Sequence, residues 1–255
     1  MDLKGQVAVV TGASRGVGRA IADALEARGL IVAEVARGSA RFAADVSDPA
    51  DVARLKTAVE TELGRPTVLV NAAGIFGPIA LVKDSDPKEW IETLMIDAVG
   101  PYLVSRAFLD GMIDGGWGRI VNLSSAASLH TPGPLNSAYA TAKVALNQFT
   151  RHLAAELEAT GVTANVIHPG DVKTAMWADI RDKTGAVEGD GSGYDNWVAW
   201  VDNTGGDLPE KAAKLVLDII ESDVNGRFLW IDDPLQTPIP SWGDSADPLS
   251  SLRSE

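Results

Sequence analysis

The segment Val7–Gly18, VAVVTGASRGVG, runs from four small apolar residues into an eight-residue turn that holds three glycines. A short apolar run that ends in glycine reads as a buried strand turning sharply into a helix. Gly12 supplies a positive-φ turn off the strand. Gly16 and Gly18, lacking side chains, let an anion and the new helix come close to the sheet. The unpaired amides at the start of that helix would then face a phosphate. Ser14, Arg15 and Val17 complete the turn and join the three glycines as candidate ligand contacts.

Working outward, the same alternation continues. Leu30–Ala36, Val68–Ala73, Arg119–Ser124, Thr163–His168 and Arg227–Ile231 read as buried strands, with Arg41–Val46 a weaker one. Apolar residues at helical spacing lie between them, as in Leu146, Phe149, Leu153 and Leu157. Asp48-Pro49, Asp86-Pro87 and Leu208-Pro209-Glu210 each place proline near a first helical turn. This pattern predicts an α/β fold: one Rossmann-type doubly wound domain over residues 1–255, with a mostly seven-stranded parallel sheet and helices on both faces. Two stretches break the rhythm. Residues from about 176 to 207, rich in Gly, Asp and Trp, read as a long loop serving as a substrate lid. The Pro- and Ser-rich tail from about 232 reads as irregular, packed through Pro238–Trp242.

With 45% apolar and 22% charged residues among 255, the composition is that of a globular protein. A formal charge of -13 opposes general binding to nucleic acid or anionic membranes. Any anionic ligand must be held locally by arginines and amides. The lack of cysteine excludes thiolate chemistry and disulfides, and His130, His152 and His168 show no metal-ligand spacing. No apolar run approaches the ~18 residues of a membrane span, and the amino terminus enters a strand without a leader-like pattern. The expected location is the cytoplasm.

In "SAYATAKVAL", Tyr139 and Lys143 stand at i and i+4 and so share one helix face. A free phenol loses its proton near pH ~10. An ammonium ~4 Å away in a medium of effective dielectric ~20 favours phenolate by up to about three pKa units. The lysine is therefore expected to make the tyrosine a usable acid or base.

Taken in order, "TGASRGVG", "ADV" at Ala44–Val46, "NAAG" at Asn71–Gly74, a serine ending a strand, the Tyr139/Lys143 pair and "HPGDVKTAM" at His168–Met176 resemble the short-chain dehydrogenase/reductase family over roughly Leu3–Leu229. The resemblance implies that Tyr139 protonates a carbonyl oxygen while a nicotinamide delivers hydride, and that Lys143 also binds the nicotinamide ribose. Ser125 would bond the substrate oxygen, with Ser124 as the alternative. Asp45 and Val46 would border the adenine, and Asn71, Ala72 and Gly74 the cofactor. Pro169 and Gly170 would shape the turn beneath the nicotinamide, with Val172 and Thr174 on its carboxamide. Asp97 stands where the family often has an asparagine that anchors a water relay to the lysine, and it counts as a candidate catalytic residue.

A dinucleotide enzyme that prefers NAD usually ends its second strand in an acid. Here that place is Ala36, followed by Arg37, and Arg15 lies in the glycine turn. Two guanidiniums suit a 2′-phosphate, so NADP(H) is expected over NAD(H). Glu34, two residues earlier on the same strand, is the opposing feature. The expected substrate is a carbonyl compound or secondary alcohol. Trp177, Trp197 and Trp200 either pack the lid or cover an apolar or aromatic substrate. A cofactor-binding sensor or scaffold that lost its chemistry is the alternative function, and sugar-nucleotide epimerisation is disfavoured by the glycine spacing. The resemblance also implies a homodimer or homotetramer, the tetramer being less favoured because "IDDPLQTPIPSW" replaces the usual terminal glycine pair.

Overall fold

The computed structural model describes residues 2–38, 41–129, 133–184 and 192–231. Seven strands form one parallel sheet: β1 (Val7–Thr11), β2 (Ile31–Ala36), β3 (Phe42–Ala43), β4 (Pro66–Asn71), β5 (Gly118–Leu123), β6 (Val162–His168) and β7 (Phe228–Trp230), in the spatial order β3-β2-β1-β4-β5-β6-β7. The sheet and its strand count are as expected from the sequence.

Alternation along each strand divides the core. In β1, Val7 and Val9 face α2 (Pro49–Glu62), α4 (Gly100–Asp114) and α5 (Ser137–Glu156), meeting Val52, Phe108 and Leu153. Ala8 and Val10 face α1 (Gly16–Ala27) and α8 (Pro209–Ile220), meeting Ile21, Leu25 and Val216. Strands buried on both faces explain their uninterrupted apolar runs. Asp48 caps α2 by accepting the Ala50 amide at 2.8 Å, and Asp86 caps α3 (Pro87–Leu94) by accepting that of Lys88 at 2.8 Å.

A wider π-helical turn, Met95–Val99, joins α3 to α4. Pro101 has no amide to return to the carbonyl four residues back, and the Gly100 amide bonds the Met95 carbonyl instead.

The stretch 176–207 corrects the sequence reading of a long irregular loop. Within it lie α6 (Ala175–Thr184) and α7 (Ser192–Thr204), and Trp177, Ile180 and Thr184 are the buried face of α6. The helical spacing of those three residues was hidden by the Gly/Asp-rich segment that follows. The tail from 232, with Pro238–Trp242, lies outside the described residues, as does His130. Among the described residues no helix is long and apolar enough to cross a membrane, and no group of His, Asp or Glu could hold a metal ion.

Candidate active site

The strand order reverses between β1 and β4, and the carboxyl ends of these two strands open a crevice at that point. There Thr11 Oγ1 accepts the amides of Ala72 and Ala73, each at 3.1 Å. Gly12 has φ +69°, and a Cβ on it would lie 2.7 Å from the Ala72 carbonyl oxygen. A Cβ on Gly18 would lie 2.4 Å from the Gly12 carbonyl oxygen. Only glycine fits either place. Arg15 ends the turn in extended conformation and caps α1 with no side-chain hydrogen bond, which leaves the first helical amides available to an anion.

These groups line one end of a cavity of about 690 Å³, together with Ser14, Gly16, Val17, Ala36, Arg37, Asp45 and Val46. The volume, the side-chain-free cradle and the uncapped helix start fit a dinucleotide. Both arginines are exposed on the cavity wall. Glu34 is turned away and pairs with Arg19 at 2.6 Å, while Arg19 also bonds Asp23. Hydrogen bonds that Arg19 donates to Asp23 and then to Glu34 push its pKa up, so the acid on β2 is neutralised by a cation of α1. Asp45 accepts from the Ser47 hydroxyl at 2.6 Å and the Ser47 amide at 2.9 Å. These bonds, hydroxyl first, hold its carboxyl below the ordinary value against burial, with help from Arg37.

At the other end the catalytic candidates converge. Tyr139 is 9% exposed, and the Lys143 Nζ lies 5.3 Å from the centroid of its ring. Lys143 Nζ donates to the Leu123 carbonyl at 3.0 Å and lies 3.1 Å from Asp97 Oδ2. Asp97, fully buried, accepts the Ile75 amide on Oδ1 at 2.9 Å. Ser125 begins a 3-10 turn, and its hydroxyl accepts the Ala127 amide at 3.2 Å. It lies beside the Tyr139 phenol. Of the two serines, Ser124 lines the cavity while its hydroxyl faces Ser128 at 3.4 Å, and Ser125 is the one beside the phenol. His168 receives the Ala126 amide on Nδ1 at 3.2 Å and packs its ring on Trp230.

Burial is the largest influence on the Tyr139 phenol and pushes its pKa up. Lys143 pulls it down, Asp97 pushes it up again, Ser125 pulls down and Asp171 pushes up, for a net rise. This corrects the expectation of a lowered pKa, which counted the lysine without the burial and without Asp97. Burial acts to lower the Lys143 pKa, but Asp97 and Tyr139 more than offset it. The Asp97 carboxyl is pushed up by burial despite Lys143 and the Ile75 amide.

Not every expected contact reaches the cavity. Asn71 turns inward and donates to Asn122 Oδ1 at 2.8 Å, tying β4 to β5. Gly170, at φ +87°, makes room for Asp207 and Ile231, and Val172 bridges to Gly206 and Asp207. Ala72, Gly74, Pro169 and Thr174 do line the cavity. Trp177 is buried between Lys173 and Arg181, and Trp200 is 47% exposed. Trp197 packs on the cluster of Phe76, Ile79, Leu135, Tyr139 and Ile180. Phe76 and Tyr194 went unread in the sequence. The Phe76 ring lies 4.7 Å from that of Tyr139, and the Tyr194 ring meets Phe76 edge-on at 6.0 Å. The Tyr194–Trp197 spacing, i and i+3, was the available signal.

The family model described as short chain dehydrogenase matches residues 6–185. A 3-oxoacyl-[acyl-carrier-protein] reductase, FabG, of Pseudomonas aeruginosa is 36% identical over 200 residues, 71% of this chain and 80% of its own. The short chain dehydrogenase pigC of Monascus ruber is 34% identical over 196 residues, 68% of this chain and 64% of its own, so the match spans somewhat less than two thirds of that protein. Among solved structures, the KRED1-Pglu enzyme superposes with a TM-score of 0.79 at 29% identity, covering 88% of this chain and all (100%) of its own.

Proposed function

The chain belongs to the short-chain dehydrogenase/reductase family of nicotinamide-dependent oxidoreductases, and on that premise we propose that it exchanges hydride between NADP(H) and a carbonyl or secondary alcohol substrate. One observation carries this reading. Tyr139 and Lys143 line the same cavity as the uncapped glycine turn, with Ser125 beside the phenol.

The bound nicotinamide supplies the hydride in reduction and takes it up in oxidation. Arg15 and Arg37 would hold the 2′-phosphate. In reduction, Ser125 donates a hydrogen bond to the substrate carbonyl oxygen, and Tyr139 passes its phenolic proton to that oxygen. Lys143 holds its ammonium beside the phenol and stabilises the phenolate left behind. In oxidation the phenolate takes the alcohol proton back. Phe76 lines this end, and Ile180, Tyr194 and Trp197 pack in the same apolar cluster as Phe76 and Tyr139, which favours an apolar or aromatic carbonyl substrate. The resemblance of the chain to a protein named as a reductase supports the same reaction class. Exposed Tyr102 on α4 and Val144 on α5 offer an apolar face for pairing with a second copy.

Tyr139→Phe tests the reading. It removes the proton and leaves the packing, so kcat/KM should fall by about 10²–10⁴ with NADPH affinity unchanged. Undiminished turnover would overturn the proposal. The sensor reading has one observation in its favour, the buried charge of Asp97 beside Lys143. Tight NADPH binding with no turnover across a panel of ketones, aldehydes and alcohols would select it.

A further inference from the structure

Lys143 does not face the phenol alone. Its Nζ is 3.1 Å from Asp97 Oδ2, and the carboxylate has no exposure to water. The π-helical turn at Met95–Val99 puts this acid inside the site, and the Ile75 amide at 2.9 Å fixes its other oxygen. A Cβ on Gly74 would lie 3.2 Å from Oδ2, so the wall on that side is also closed. A carboxylate held this way cannot swing off to solvent.

We propose that Asp97 is a positioning residue whose buried carboxylate engages the Lys143 ammonium and so keeps Tyr139 a neutral phenol into the alkaline range, displacing the pH dependence of hydride transfer upward. This rests on the reading of Tyr139 as the proton donor and deepens it. The argument is one of charge. Beside a phenol, an isolated ammonium favours phenolate, whereas an ammonium already paired with an anion presents little net charge. Taking the anion away eases the loss of a proton from the coupled Tyr139–Lys143 pair. The groups facing the phenol are Lys143 on α5, Asp97 on the π-helical turn, Ser125 after β5, Asp171 after β6 and Tyr194 on α7. Burial of the phenol acts in the same direction as Asp97.

The effect does not change the overall equilibrium of the reaction, which no enzyme alters. It moves the pH at which each limb turns. Reduction should hold its plateau well into the alkaline range. Oxidation, which needs the phenolate, should still be climbing there.

Asp97→Asn keeps the shape and an oxygen for the Ile75 amide but removes the charge. Two readouts test the proposal. The first is tyrosinate absorbance of the free protein during alkaline titration, with Tyr139→Phe subtracted to isolate one of its three tyrosines. This needs neither cofactor nor substrate, so its outcome is separate from whether the redox reading holds. The Tyr139 signal should appear at lower pH in Asp97→Asn than in the parent. The second is the fraction of its own alkaline oxidation plateau that each protein reaches at pH 7.5, which should rise at least about tenfold in the variant. An unmoved tyrosinate signal overturns the proposal. If that variant does not fold, Asp97→Ser takes its place in the same titration: a Tyr139 signal at lower pH than in the parent supports the proposal, and an unmoved one overturns it.

Discussion

Gly18→Ala puts the glycine turn under direct strain. The new methyl would stand 2.4 Å from the Gly12 carbonyl oxygen and 2.9 Å from its carbon, both of them backbone atoms. Comfortable contact needs ~3.5 Å, so α1 and the turn must part by roughly 1 Å. Overpacking of this kind costs about 1–3 kcal/mol, against about 1 kcal/mol gained from replacing glycine in a helix. Net destabilisation should therefore lie between about 0 and 2 kcal/mol. The loss in cofactor binding should be larger. A shift of ~1 Å breaks a hydrogen bond between amide and phosphate, and each such charged bond contributes about 1.5–3 kcal/mol. Losing one weakens NADPH affinity by about tenfold to a hundredfold. Gly111→Ala is the control, because its methyl would meet nothing nearer than Arg65 Cδ at 3.9 Å inside α4. It should stabilise by up to about 1 kcal/mol and leave affinity unchanged. Urea unfolding and NADPH titration measure both. A Gly18→Ala protein with the parent's affinity would refute the close-approach argument.

Replacing Arg15 and Arg37 together by alanine should raise KM for NADPH about tenfold to a hundredfold and leave that for NADH nearly unchanged; equal losses with both cofactors would remove the 2′-phosphate clamp. Ser47→Ala takes away the first of the bonds that hold the Asp45 carboxyl below its ordinary value. The stability Asp45 contributes is full above its unfolded pKa of about 3.9 and is lost as pH falls through the lower folded value. The gap in Tm between parent and Ser47→Ala should therefore be full at neutral pH and narrow below about pH 4, and a gap that stays constant down the acid limb would contradict this.

The sheet was legible because its strands are buried on both faces and their turns carry glycine and proline at the needed places. The cradle was legible for the same reason: Gly12 and Gly18 stand where a methyl would strike backbone. Interactions distant in sequence were not legible. The sequence marks Asp97 as unusual, but its contact with Lys143 depends on how the π-helical turn faces α5. The direction of the Tyr139 pKa depended on burial, which a four-residue spacing does not reveal. Glu34 lies on the strand expected to meet the cofactor, and only the packing of α1 shows that Arg19 claims it. The side-chain amide of Asn71 is engaged by the cross-strand bond to Asn122, a partner that its place in the sequence does not reveal.

The bridge at Val172 has a practical consequence. Val172 pairs with Gly206 and Asp207, the Asp207 amide donates to the Asp171 carbonyl at 3.0 Å, and Lys173 reaches Asp202 at 2.7 Å. The polypeptide that leaves β6 to build α6 and α7 thus comes back to its own point of departure before α8 begins. Cut at that waist, the excursion is a cassette with matched ends. Swapping it for the corresponding piece of a homologue would rebuild the wall over the phenol while the sheet and the dinucleotide cradle keep their own sequence.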